Sequence, residues 1–394
     1  MEKVNQLLND KAWARWTALV LIASMMFFGY MFVDVMSPIQ ALMESEKGWG
    51  PDTFGTYAAS EYIVNVLGFL IIAGVILDKM GVRFTGTLSA SMMFIGALIK
   101  FIGISDWFAT TAFSHWLDSW WVTLPASAKM ACFGFMLFGC GCEMAGTTVS
   151  KAIAKWFKGK EMALAMGLEM AIARVGVFAI FSISPIIASH FGTVVAPVAF
   201  CTVLLLIGLI TFIVFTFMDK ALDKQLGDSA EGGESEEEFK FSDLGKIFSS
   251  QVFWIVALLC VLYYSAIFPF QRYGANMLQC NLDGISPEDA ANIFRWFPIG
   301  AAVITPFLGN FLDRKGKGAT MLIFGAILLI CCHLVFAFVL PETKSPVIAY
   351  STIVLLGISF ALVPAALWPS VPKIIDEKIL GSAYCLIFWV QTIG

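Results

Sequence analysis

Gly74-Val-Ile-Leu-Asp78-Lys-Met-Gly81-Val-Arg83 and Gly309-Asn-Phe-Leu-Asp313-Arg314-Lys-Gly316-Lys317 carry one pattern at two distant places in the chain. Glycine, aspartate, a base and a second glycine recur at the same spacing. Each copy is flanked by apolar runs of about 20 residues, the length a helix needs to cross a bilayer. In each half the pattern falls between the second and third of these runs, which points to an internal duplication. The first glycine lets helices pack closely. The aspartate can cap the next helix and pair with a base, and the last glycine suits a tight turn. Gly74, Asp78, Gly81, Arg83, Gly309, Asp313, Arg314 and Gly316 are therefore read as a conformational gate. It locks two bundles together and releases them as they rock, with no part in binding a ligand.

Outward from the repeat, the 394-residue chain is 59% apolar and only 14% charged, where a soluble domain carries roughly 25% charge. The apolar runs predict spans near 16–36, 53–77, 86–104, 130–150, 162–189, 194–218, 250–271, 291–312, 319–340, 346–366 and 380–394. They are continuous and do not alternate, which argues against a β-barrel. The expectation is an all-α, polytopic membrane protein of two six-helix bundles, with the eleventh span stopping in mid-helix at Gly394 and the twelfth missing.

Lysine and arginine set the orientation. Loops with Lys79 and Arg83, Lys151 to Lys160, Arg314 to Lys317, and Lys373 with Lys378 alternate with loops nearly free of them. The basic loops and the amino terminus are expected on the cytoplasmic side, in a bacterial-type inner membrane. The long loop from Ser105 to Ser127, with Trp107, Trp116, Trp120 and Trp121, is then external and reads as an interfacial aromatic belt or a lid. The polar, acidic segment 219–248 reads as a flexible linker between an amino-terminal bundle, 1–218, and a carboxy-terminal one, 249–394. Most cysteines fall inside spans; Cys280 lies in an external loop without a partner there, so no disulfide framework follows. No metal cluster, phosphate-binding loop or nucleophile triad is evident. No cofactor, nucleic-acid partner, enzyme activity or ATP-driven pump is expected.

Two isolated charges stand deep in apolar sequence: Glu143 in Gly139-Cys-Gly-Cys-Glu-Met-Ala-Gly146 and Arg174 in Ala171-Ile-Ala-Arg-Val-Gly176. Ionisable groups there are costly and by default mark a substrate or ion path. Counted from the basic hairpin, Glu143 is about 12 residues from Lys155, roughly 18 Å along a helix, and Arg174 is about 14 from Lys160. Two readings stay open. The charges pair with each other, or they stand apart, the glutamate facing an ammonium and the arginine forking a carboxylate.

The repeated motif, the span count and the midpoint linker together resemble the major facilitator superfamily, over all the residues present. That resemblance implies a central cavity and alternating access. Within it, Phe138 to Glu143, Trp156-Phe-Lys-Gly-Lys160-Glu161, Met170-Ala-Ile-Ala-Arg174-Val-Gly176, Tyr263-Tyr264 with Phe268-Pro-Phe270, and Ala366-Leu-Trp368-Pro369 through Gly381-Ser-Ala-Tyr384 look like the lysosomal dipeptide transporter branch and its bacterial relatives. By that likeness Glu143, Arg174 and Trp368 engage the two termini and body of a dipeptide, with Tyr263 and Tyr264 beside them. Trp368, between Pro364 and Pro369, stacks on a substrate side chain, closes a gate, or packs between helices. Several features of other branches are absent. The fifth span has no Gly-Pro pattern of drug–proton antiporters, Phe135 stands where many proton-coupled members have arginine, and the first span has no Glu-x-x-Glu-Arg cluster of proton-coupled oligopeptide carriers.

Asp34, near the external end of the first span, and Glu61, on the second, read as cavity acids able to take a proton or, alternatively, as helix-end residues. Lys100, Arg272 and Arg295 are expected to snorkel from span ends. Glu169 is expected to point away from Arg174 and to pair with Lys129 or Lys151, and His333 reads as a packing residue. The reading is a secondary transporter for a small zwitterion, in first place a dipeptide. An organic-anion transporter, with Arg174 as contact and Glu143 as a protonation switch, is the alternative. A non-transporting receptor or accessory subunit that kept the fold is the third. No accessory partner is read from the sequence.

Overall fold

The computed structural model describes residues 7–120, 123–157, 160–227, 249, 251–315, 317–367 and 380–392. Among them, nine helices are long and apolar enough to cross a membrane. Seven come first: α1 Ala12–Lys47, α2 Pro51–Leu77, α3 Lys79–Ile104, α4 Ala126–Trp156, α5 Leu164–Phe191, α6 Val195–Gln225 and α7 Phe253–Asn281. After them come α8, Trp296–Lys315, then α9, Gly318–Thr343, and α10, Pro346–Leu367. A helix at Leu380–Gln391, α11, follows. Each expected span thus has its helix, and no strand occurs among the described residues. Helices are the response of an apolar chain to lipid, because every backbone polar group must bond within its own segment. Their outer faces remain apolar: Leu67 is 81% exposed and Phe217 69%, as expected of surfaces solvated by acyl chains.

Below, the side bearing Lys155 and Lys160 is called the basic side, and the side bearing the tryptophan loop the far side. The loop between α3 and α4 holds two short helices, Asp106–Ala109 and Ala112–Asp118. Trp107, Trp116 and Trp120 are exposed on it, with Trp116 and Trp120 edge to face at 4.5 Å. Lys129 ties it down by donating to the Leu117 carbonyl at 2.6 Å and to that of Trp120.

The first copy of the repeated motif makes the turn between α2 and α3. Gly81 adopts φ 76° and ψ 171° inside otherwise helical backbone. A side chain there would strain the left-handed conformation, which glycine takes freely. Arg83 is engaged within its own half: its Nη1 lies 2.5 Å from Asp223 and 3.5 Å from Asp219 on the helix of α6. Lys155 meets Asp219 at 2.8 Å and Asp223 at 2.5 Å, and Trp156 donates to Asp219 at 2.9 Å. These contacts explain a difference from the expected linker. The helix of α6 runs on to Gly227, so residues 219–227 are helical, and Asp219 is buried by its cationic partners. Residues 228–248, the Gly316 turn and the side chains of Asp78, Gly309, Asp313 and Arg314 lie outside the described residues.

Within the amino-terminal half, α3 and α4 touch backbone to backbone. A Cβ on Gly96 would fall 2.5 Å from the Gly134 carbonyl, and one on Gly134 2.6 Å from the Lys100 nitrogen. Small residues at such seams are the usual means of helix packing where lipid supplies no hydrophobic drive. The leader before α1 is latched to the α4–α5 hairpin. Arg15 donates to Glu161 at 2.9 Å and to the carbonyls of Asn9 and Asp10, and Lys160 reaches Asp10 at 2.5 Å.

Candidate functional site

Arg174, on α5, is half-buried and makes no ion pair or hydrogen bond with any described residue. Its guanidinium lies over two rings instead, Phe360 of α10 at 4.6 Å and Tyr30 of α1 at 5.9 Å. Phe360 belongs to the carboxy-terminal half and Tyr30 to the amino-terminal half, so Arg174 sits where the halves meet. Glu143, on α4, is likewise half-buried and makes no ion pair or hydrogen bond with any described residue. Glu143 and Arg174 form no ion pair with each other.

An aromatic wall continues from Arg174 along α7. Tyr263 stacks on Phe360 at 6.4 Å and 8° and donates to the Phe360 carbonyl at 3.2 Å. Tyr264 packs against Tyr263 at 5.2 Å and against Phe268 at 5.0 Å. Phe268 in turn stacks on Tyr62 of α2 at 6.1 Å and 8°, a second crossing between halves. The structure therefore brings Tyr263 into the surroundings of Arg174 and sets Tyr264 one neighbour further away. Trp368 lies outside the described residues.

A buried ionic cluster joins the halves at Arg272. Arg272 of α7 does not snorkel to a span end. It is 7% exposed and donates to Asp34 at 3.1 Å, to Glu61 and to the Val33 carbonyl. Its neighbour Gln271 donates to the other oxygen of Asp34 at 2.6 Å. Asp34 and Glu61 are 0% and 4% exposed, so two acids of α1 and α2 are clamped by one base from the opposite half. α7 ends at Asn281, not near residue 271, which puts Arg272 nine residues inside it, roughly 14 Å along the helix.

Lys100 corrects a second expectation. It is wholly buried. Its Nζ meets the Tyr57 hydroxyl and lies 4.2, 4.9 and 4.7 Å from the ring centres of Phe32, Tyr57 and Phe135. No described carboxylate pairs with it. Arg295 is half-buried, donates to Ser182 across the halves at 3.1 Å and lies over Phe178 and Trp296. Glu169 pairs with neither Lys129 nor Lys151, and Lys129 is spent on the loop carbonyls. His333 packs on Phe270 at 5.2 Å with Nδ1 3.0 Å from the Leu329 carbonyl.

Nine long apolar helices in two halves, with Arg174 lying over a ring from each half, are the features of a multi-pass membrane protein with a charge at its midline. A family model described as the Major Facilitator Superfamily matches residues 19–394, and the chain belongs to that superfamily, a family of transporters and not of enzymes. It is 29% identical over 309 residues to the lysosomal dipeptide transporter MFSD1 of Gallus gallus, a match covering 75% of this chain and 67% of that protein. To the protein of the same name from Danio rerio it is 28% identical over 389 residues, covering 95% and 77%. Among solved structures it is similar to a D-xylose–proton symporter, with a TM-score of 0.71 at 13% identity over 97% of this chain and 88% of that one. That last likeness concerns the fold alone.

Proposed function

We propose that the chain carries a small zwitterion, in first place a dipeptide, across the membrane by alternating access. The observation that carries this reading is the pair of half-buried, opposite and unpartnered charges, Glu143 and Arg174, on adjacent helices. An arginine half-buried between the two halves, whose N–H groups no described acceptor takes, offers its fork to an anion. A carboxylate matches its fork, and a substrate ammonium matches Glu143. The aromatic wall of Tyr263 and Tyr264, with Trp368 following α10, lines the body of the ligand. The printed names of the curated relatives support the same substrate class. Asp34 and Glu61 serve the conformational cycle through Arg272 and are the first acids to test for coupling to a proton. The amino terminus and basic side face the cytoplasm, the membrane is of the bacterial inner type, and the two halves rock against each other.

Uptake of labelled dipeptide into proteoliposomes tests the site. Arg174→Ala and Glu143→Gln are each expected to abolish uptake while folded protein remains in the membrane. Undiminished uptake by both variants refutes the assignment. N-acetylated dipeptides separate this reading from organic-anion transport: they fail as substrates here and compete there. Binding without flux would instead mark a receptor.

A further inference from the structure

We propose that Phe360 is a positioning residue for Arg174: a ring from one half seats the arginine of the other half for the substrate carboxylate. The inference rests on the reading of Arg174 just given. A guanidinium seated over a ring has one face covered and keeps its N–H edges for a planar acceptor. Here Phe360 covers Arg174 at 4.6 Å, and Tyr30 lies near it at 5.9 Å. No described acceptor takes the N–H groups.

Phe360 is built as a fixed platform. It is buried, backed by Tyr263 at 6.4 Å and held by Phe297 at 5.1 Å. Its carbonyl accepts the Tyr263 hydroxyl at 3.2 Å. The preceding residue, Ser359, is anchored to the Gly325 carbonyl at 2.8 Å. The ring therefore moves with the carboxy-terminal half as a unit, while Arg174 moves with the amino-terminal half. The guanidinium is seated only while the halves meet at this level, so carboxylate affinity is tied to their closure.

The experiment replaces Phe360 by mono-, di- and trifluorophenylalanine in the full chain, which drains the ring of electron density with little change of shape. Dipeptide uptake is then measured in proteoliposomes. KM is expected to rise stepwise, by a total of roughly 2–30-fold for loss of a buried cation–π contact, with kcat unchanged within about twofold. Phe360→Tyr keeps near-normal KM, while Phe360→Leu matches the end of the fluorinated series. A carboxyl-amidated dipeptide competes equally weakly against every fluorinated variant. If KM stays flat along the series while Arg174→Ala abolishes uptake, the positioning role is wrong and the reading of Arg174 stands. If kcat falls with flat KM, Phe360 is packing only and the proposal is again overturned. If Arg174→Ala leaves uptake unchanged, both fall.

Discussion

Replacing Arg272 by glutamine tests the ionic contact that joins the two halves toward the far side. The guanidinium serves Asp34, Glu61 and the Val33 carbonyl at once. Both acids are almost completely buried, at 0% and 4% exposure. Removing one partner from a buried ion pair costs about 3–5 kcal/mol, because a charge is left in low dielectric. At about 1.4 kcal/mol per tenfold, the equilibrium shifts by roughly 10²- to 10⁴-fold toward any conformation in which Asp34 and Glu61 reach water. The acids belong to the amino-terminal half and Arg272 to the other, so that conformation has the far side open. Spin labels on Thr56 of α2 and on Cys280 of α7, both exposed, report the opening by double electron–electron resonance once the other cysteines are replaced. Arg272→Gln is expected to move the distance distribution to longer values, and Glu61→Gln added to it to move the distribution partway back. An unchanged distribution together with an unchanged melting temperature in Arg272→Gln would refute the reasoning.

Lys100→Met strands the Tyr57 hydroxyl and is expected to cost about 1–3 kcal/mol, read as a lower melting temperature. Adding Tyr57→Phe restores most of it, and no recovery would count against the hydrogen bond as the cause. Gly134→Leu forces a side chain into the α3–α4 seam, so folded protein should be lost on size-exclusion chromatography, whereas the same change at Gly167, where a Cβ meets nothing within 4 Å, is tolerated. On the basic side, the hydrogen bond from Lys160 holds the Asp10 carboxyl below its ordinary 3.8. Its own backbone N–H, then Arg15, holds Glu161 below 4.5. Depressed carboxylates stabilise above their ordinary values and lose that contribution as pH falls through the lower folded-state ones. A spin label on Asn9 should therefore gain mobility only below about pH 4, and release at pH 6 would contradict the latch.

The fold was legible because lipid leaves a coarse signal: runs of fixed length, and few charges between them. The turn at Gly81 was legible too, since the motif asks for a residue that tolerates a positive φ. Glu143 and Arg174 stood out for the same reason that they are expensive. Depth counted from expected span ends places Arg272 and Lys100 too near the surface. α7 continues to Asn281, and Lys100, four residues from Ile104, is covered by aromatic side chains from α1, α2 and α4 that are remote in sequence. Phe360 gave no signal at all: a phenylalanine among apolar residues on α10 acquires meaning only from the cation that another helix lays on it.

The clamp on Asp34 and Glu61 also bears on temperature. When the halves part at the far side, three ionic groups pass from protein contacts to water. The hydration of ions carries negative entropy and becomes less favourable on warming. The electrostatic part of the balance therefore favours the closed far side as temperature rises, and cooling eases its opening.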